Sequence, residues 1–447
     1  MKTAAFLLVA ASAVNSVTAV KFVSAPEGWS ESLNFTVREE DFSKYVKREA
    51  RAVTLAPKVQ PLAARVKRIA GSKTVKIRYG PYNVPAPRVA GGEGMINNMP
   101  SPSVDRPCQD CMILGMNAGL EYPDGSDANT DTKMWLHHMV MFNIGKGAND
   151  ATCTLFGAPH LIVGSMPASS ERIFSSGNER TTTFFNPPWA SEDEKLGYPI
   201  YPADRFGMIV DLMNMNPAAK QVYLTIYYDY VDGHPAGMQE VKPVWMDAAQ
   251  CGTSEVSGRS SNAKFDFKSP AWVTNFEGEV MGAGGHLHDG GTHVEILVDD
   301  KVICDSIPTY GTDEEAIRRA NIAKNGGTAA GARAPAAAPA TPAGGMQGMN
   351  MKDMTGMNKR DGPGGHAMSK EHIIAMSICA ENKANVKEIP ISPLAIKELK
   401  KGQKWVLRAY YDYTKFPAMN KGATNTPSSV MGISIMYAKT KNKRVAT

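Results

Sequence analysis

His137 and His138 stand side by side in Trp135-Leu136-His137-His138-Met139-Val140-Met141-Phe142. His286 and His288 stand one residue apart in Gly284-Gly285-His286-Leu287-His288-Asp289-Gly290-Gly291. Imidazole is the commonest protein metal donor, so the spacing within each pair decides whether it can serve one ion. Adjacent residues on a regular strand point to opposite faces, so His137 and His138 can share an ion only where their strand is irregular. His-x-His on a strand places both rings on one face, about 6–7 Å apart along the backbone, from where they can converge. The glycines around His286 and His288 let the backbone bend, and Asp289 is placed to orient an imidazole from behind. Each pair also has a purely structural reading. The first would split between core and solvent, and the second would be a hydrogen-bonded pair in a Gly-rich turn.

A second donor type is abundant. Of 447 residues, 25 are Met. Thioether sulfur is a soft ligand that suits Cu(I) far better than Zn(II), Ca(II) or Mg(II). Met346, Met349, Met351, Met354, Met357 and Met368, with His366, follow the low-complexity run NGGTAAGARAPAAAPATPAGG. Their Met-x-Met and Met-x-x-Met spacings allow two or three sulfurs of Met346–Met357 to surround a cuprous ion. The alternative is filler in a linker with too few large apolar groups to fold.

The elements that must position these residues read as β. KTVKIRYG, MWLHHMVMFNI, RFGMIVDLMNM, QVYLTIYYDYV, THVEILVDD, KWVLRAYYDY and SVMGISIMYA are short runs rich in Val, Ile, Tyr and Phe, separated by Gly, Pro, Asn and Asp clusters. Helical periodicity is confined to roughly 312–325. Leu224–Tyr230 (LTIYYDY) is echoed by Leu407–Tyr413 (LRAYYDY). The pattern predicts an all-β chain of two tandem jelly-roll-like β-sandwich domains. One spans 70–245 and the other 246–325 plus 371–440, with a disordered Ala/Pro/Gly and Met-rich insert at 326–370.

The amino terminus sets the compartment. Residues 1–19, MKTAAFLLVAASAVNSVTA, have a Lys, a short apolar run and a small-residue end, the form of a secretory signal cleaved after Ala19. No later run reaches the roughly 18 apolar residues of a membrane helix. The mature chain is expected to be extracellular, with the cell wall as one destination. Residues 20–69 read either as a pro-segment, with dibasic pairs Lys47-Arg48 and Lys67-Arg68, or as an ordinary charged face. Asn34-Phe35-Thr36 is an N-glycosylation sequon. Six cysteines in an oxidising compartment predict disulfides. Cys304–Cys379 is the favoured pair, and Cys108-x-x-Cys111 is read as disulfide rather than zinc chemistry because a second matching pair is missing. Lys+Arg exceeds Asp+Glu by 49 − 44 = 5. With no basic stripe interleaved with aromatics, nucleic acid is not an expected partner.

These residues together resemble the copper type II, ascorbate-dependent monooxygenases, the family of peptidylglycine α-hydroxylating and dopamine β-monooxygenases, over about 130–440. His137-His138-Met139 resembles the His-His-Met motif of the family's electron-transfer copper. His286-x-His288 resembles the His-x-His of its oxygen-binding copper. Ser429-Val430-Met431-Gly432-Ile433-Ser434-Ile435-Met436-Tyr437 resembles the strand bearing that copper's methionine, with Met431 the first choice and Met436 the second. The resemblance implies one copper in each sandwich, facing each other across a cleft. A third His expected at the first copper falls in Val210–Pro217 on Met213, a departure that leaves electron cycling there in question. The Met-rich insert has no counterpart in the family pattern.

Three functions follow. The first is a secreted copper protein that hydroxylates a C–H bond with O₂ and ascorbate or another external reductant. The second is a non-catalytic copper-binding or scavenging protein on the same scaffold. The third is a wall-associated β-sandwich binding protein with structural histidines. One or two copper ions are the implied cofactor. The substrate, a small molecule or a peptide, and any catalytic side chain are not identified by these residues.

Overall fold

The computed structural model describes residues 7–10, 18–21, 59–87, 94–153, 169–249, 254–260, 262–311, 372–381, 389–418, 420–421, 426–441 and 443–444. The helical segment expected near 312–325, the Met-rich insert with Met346, Met349, Met351, Met354 and Met357, the Asn34 sequon and Cys251 lie outside them. Residues Leu55–Thr447 form one compact unit. Met1–Thr54 form another, in which Leu7–Ala10 pairs antiparallel with Thr18–Lys21.

The described residues are all-β: they contain no α-helix, and a single 3₁₀ turn covers Thr130–Thr132. The apolar runs read from the sequence become the strands Lys73–Val84, Met134–Ile144, Arg205–Asn214, Lys220–Asp232, Gly291–Val298, Lys404–Asp412 and Val430–Thr440. β-branched and aromatic side chains suit a pleated, buried surface, which is why these runs extend rather than coil. No helix among the described residues is long and apolar enough to cross a membrane.

Three sheets matter to the site. A four-stranded sheet runs in the order Met95–Val104, Arg205–Asn214, Met134–Ile144, Ser170–Ser176. A five-stranded sheet contains Lys264–Lys268, Lys404–Asp412, Gly291–Val298 and Lys301–Ser306. Between them stands a 14-stranded sheet that includes Gly278–Leu287, Val430–Thr440 and Gln239–Asp247 as neighbours.

The alternation of side chains in this middle sheet feeds two cores. From Val430–Thr440, Met431, Ile433, Ile435 and Tyr437 enter one core with residues of the four-stranded sheet. Val430, Met436 and Ala438 enter another with residues of the five-stranded sheet. Gln239–Asp247 divides likewise, Val241 and Trp245 to the first core, Val244 and Met246 to the second. Strands buried on both faces become near-continuous apolar runs, as SVMGISIMYA is. The two sandwiches therefore share a wall. Cys304–Cys379 ties the second sandwich, as favoured from sequence, with a Cα–Cα distance of 5.6 Å, and Cys108–Cys111 is a disulfide as well.

Candidate functional site

The Met134–Ile144 strand is irregular at the histidines. His138 pairs with Asp211 and Leu136 with the next residue, Leu212, so His137 is an extra residue, a β-bulge in the ladder. The bulge turns both imidazoles into the same space, with ring centroids 4.0 Å apart. The irregularity that shared use of one ion requires is present.

On the shared wall the ladder is regular at the second pair. His286 pairs with Ile433 and Leu287 with Gly432. Leu287 points into the second core. His286 and His288 point the other way, toward the four-stranded sheet. There the two pairs meet. His138 Nε2 and His288 Nε2 are 2.9 Å apart. Ring centroids of His137–His288, His138–His286 and His286–His288 lie at 5.3, 5.1 and 5.8 Å. Donor atoms of His137, His138 and His288 all fall within 4.8 Å of one another.

This corrects the arrangement implied by the family resemblance. Two coppers separated by a cleft would keep the pairs apart; here four imidazoles from two facing sheets form one cluster. The methionines divide. Met431 lines the cavity that also holds His138, His286 and Asp211. Met436, the second choice, is buried in the other core. Met213 is buried opposite Trp135 in the ladder, and the residue its strand places against His138 is Asp211, with Oδ2 3.6 Å from Nδ1.

Each remaining ring nitrogen has its own environment. His288 Nδ1 lies 2.8 Å from the Ser429 carbonyl oxygen. A carbonyl can only accept, so Nδ1 carries the proton and Nε2 keeps its lone pair. His286 Nδ1 donates to Glu179 Oε1 at 2.9 Å. His137 Nδ1 and His286 Nε2 are buried with no hydrogen-bond partner among the described residues. Buried orphan nitrogens are costly, and a bound cation satisfies them. Asp289, expected behind a site imidazole, instead accepts from His372 Nδ1 at 2.7 Å and from the Ile373 amide at 3.0 Å. It has its own histidine and orients none of the four.

The electrostatics suit metal ligation. Burial, reinforced by the neighbouring imidazoles, holds His137 and His138 well below the usual histidine range. Burial, then His286, lowers His288 to about 4, against the pull of the Ser429 carbonyl. These rings are neutral at neutral pH, as donors must be. Burial pushes Asp211 up to about 7, partly opposed by the Asn98 amide and aided by Glu255. Burial would raise Glu179 too, but the charge and hydrogen bond of His286 outweigh it and hold it low.

Glu179 was not foreseen, because nothing in Ser175-Ser176-Gly177-Asn178-Glu179 marks a turn that reaches across to another strand. Asp211 carried a signal, a lone carboxylate inside the apolar run Met208–Met213. The turn depends on Gly177. A Cβ there would stand 3.1 Å from the His137 carbonyl oxygen and 3.2 Å from His286 Cε1.

No family model matches the chain. It is similar to two curated fungal proteins. One is a probable copper-dependent oxygenase M1 of a Phoma species, 33% identical over 241 residues, which are 54% of this chain and 57% of that one. The other is a probable copper-dependent oxygenase, clz3, of Cochliobolus lunatus, 34% identical over 201 residues, 45% and 60% of the two chains. The chain thus spans less than two thirds of the length of either relative. Among solved structures, PNGase F of Flavobacterium meningosepticum gives 11% identity and a TM-score of 0.33, covering 83% of this chain and 98% of that one. PNGF-II gives 11% and 0.30 over 97% and 73%. Similarity that low carries no functional inference. The named relatives support a copper-dependent oxygenase relationship.

Proposed function

We propose that this chain is a secreted copper-dependent oxygenase that hydroxylates a C–H bond with O₂ and an external reductant such as ascorbate. The observation that carries this reading is the meeting of His138 Nε2 and His288 Nε2 at 2.9 Å, from two different sheets. That separation is close to the 3–3.5 Å or so between two imidazole nitrogens that share one ion. Four imidazoles, two with orphan nitrogens, beside the Met431 thioether make a soft-to-borderline donor set that fits copper. The names of the two relatives point the same way. The disulfides support secretion, since such bonds persist in oxidising compartments.

Copper held by His137, His138 and His288 would supply the redox chemistry, passing electrons from the reductant to O₂. The protein's own residues prepare the place. Ser429 fixes the His288 tautomer so that Nε2 faces the cluster. Glu179 does the same for His286. The bulge aims His137 and His138 together, and burial favours the neutral form of His137, His138 and His288.

The test is copper analysis after anaerobic reconstitution with Cu(I), followed by oxygen uptake with ascorbate. One equivalent is expected, lost in both His138→Ala and His288→Ala. Two equivalents, each lost separately, would restore a two-site arrangement. Absence of copper would sink the reading, and copper without ascorbate-dependent oxygen uptake would leave a binding protein.

A further inference from the structure

A second cavity opens on the other flank of His286. Along Gly278–Leu287, the residues sharing His286's face next to it are Gly284 and then Gly282, opposite Ile435 and Tyr437 on the neighbouring strand. The missing side chain at Gly284 leaves an open trough between His286 and the Trp189 ring that packs over Gly282. Glycine inside a strand is unfavourable and often marks close approach of a ligand. Gly285 and Gly282 have packing reasons: added Cβ atoms would meet Ser306 Oγ at 2.8 Å and Trp189 Cζ2 at 3.2 Å. Gly284 has none, since a Cβ there would meet nothing within 4 Å. Its missing side chain leaves open space.

The walls are apolar apart from hydroxyls and the Glu179–His286 pair at one end. Ile378, Ile433 and Ile435 supply apolar surface, and Phe184 stands edge-on to Trp189 at 5.6 Å at the far end. The Trp189 indole donates to the Met281 carbonyl at 2.7 Å, which fixes the ring. Thr181, Thr182 and Thr183 add hydroxyls. The Tyr437 hydroxyl is paired with Thr183 at 3.2 Å, and burial raises its pKa well above the usual tyrosine range. Among the described residues the lining contains no Lys, Arg or Asp, and its carboxylate, Glu179, is engaged by His286. The cavity is open to solvent at its mouth, so a small molecule can enter it from outside.

We propose that this trough is the substrate subsite and that it takes a neutral, flat, apolar molecule, an aromatic or alkyl-aromatic bearing at most hydroxyl groups, with one end against His286. Calling it a substrate subsite rests on the oxygenase reading. A charged group would lose its hydration there without a partner, and an anion would also meet Glu179.

Three probes of one shape test it: 2-naphthalenemethanol, 2-naphthoate and 2-naphthylmethylammonium, titrated calorimetrically into the full chain, metal-free and copper-loaded. The alcohol is expected to bind at one saturable site, and both ions at least ~10-fold more weakly. Gly284→Leu should weaken the alcohol at least ~10-fold while copper stoichiometry and melting temperature stay as in the native chain. Equal or tighter binding of either ion, or native-like alcohol binding by Gly284→Leu, would overturn the proposal. Should that variant not fold, the charge series on the native chain decides alone. Copper retained without alcohol binding sinks the trough; alcohol binding without copper sinks the oxygenase reading and spares the trough as a binding site.

Discussion

Two strands deliver two imidazoles each to one cluster, and they do it by opposite means. On Gly278–Leu287 the ladder is regular around His286, and alternation does the work: every second side chain faces the site, and Leu287 between them anchors the second core. On Met134–Ile144 the histidines are adjacent, and regular pairing would send one of them away. There the ladder is broken by one residue at His137. A bulge gives up local pairing to re-aim a side chain. Spacing of two needs no distortion, whereas spacing of one needs a specific irregularity. The shared wall, buried on both faces, carries the undistorted version.

The largest test of this contrast removes the point where the two strands meet. His288→Ala should lower Cu(I) affinity by about 10²–10³-fold, roughly one donor's share of a binding free energy of ~10–16 kcal/mol. Competition against a Cu(I) chelator measures it. Unchanged affinity would mean that the strands do not serve a common ion.

Next, the bulge can be excised. Deleting His137 leaves His138 opposite Asp211 and Leu136 opposite Leu212, a regular ladder. If the bulge serves only to admit His137, the deletion and His137→Ala should each cost about 10²-fold in affinity. If it also aims His138, the deletion costs clearly more. A deletion milder than the alanine variant would show that the bulge does not aim the site.

The strand pattern was legible because short β-branched and aromatic runs have one comfortable conformation. The four histidines were legible because spacing alone restricts where strand residues point. Their common destination was not, since nothing local to either motif says which sheets face each other. That depends on the middle sheet having two apolar faces, which the runs at 239–247 and 430–440 satisfy. Met213 was assigned by its place in a pattern, but Asp211, two residues earlier, is what reaches His138. Glu179 was invisible because a turn can put its side chain almost anywhere.

A smaller effect tests whether His137, His138 and His288 are held neutral in the folded chain. In the metal-free chain His288 is lowered to about 4, and His137 and His138 are lowered as well. Unfolded, they take up protons near 6.5, so below that pH the unfolded chain binds more protons and stability falls as pH drops toward about 4. For His288 alone the loss is on the order of 3 kcal/mol. Asp211, raised to about 7, acts in the opposite sense as pH falls below that value, but it is one group against three. Melting temperature should therefore decline from pH 6.5 to 4.5. A flat or rising profile would show that the rings are not held neutral together.

The smallest effect lies behind the ligands, where the two strands differ again. His286 is gripped by a carboxylate 2.9 Å away, whereas Asp211 stands 3.6 Å from His138, beyond a good hydrogen bond. A partner behind a ligand fixes its tautomer and raises its basicity, and losing one commonly costs 10–100-fold. Glu179→Gln keeps the shape but can offer Nδ1–H only a neutral acceptor, so affinity should fall about 10-fold. Asp211→Asn should cost less, about 2–3-fold, because burial already leaves that carboxyl near half-neutral at pH 7. The same Cu(I) competition separates the two variants. A larger loss from Asp211→Asn would reverse the assignment: the bulged strand, not the regular one, would then have its imidazole set by a carboxylate.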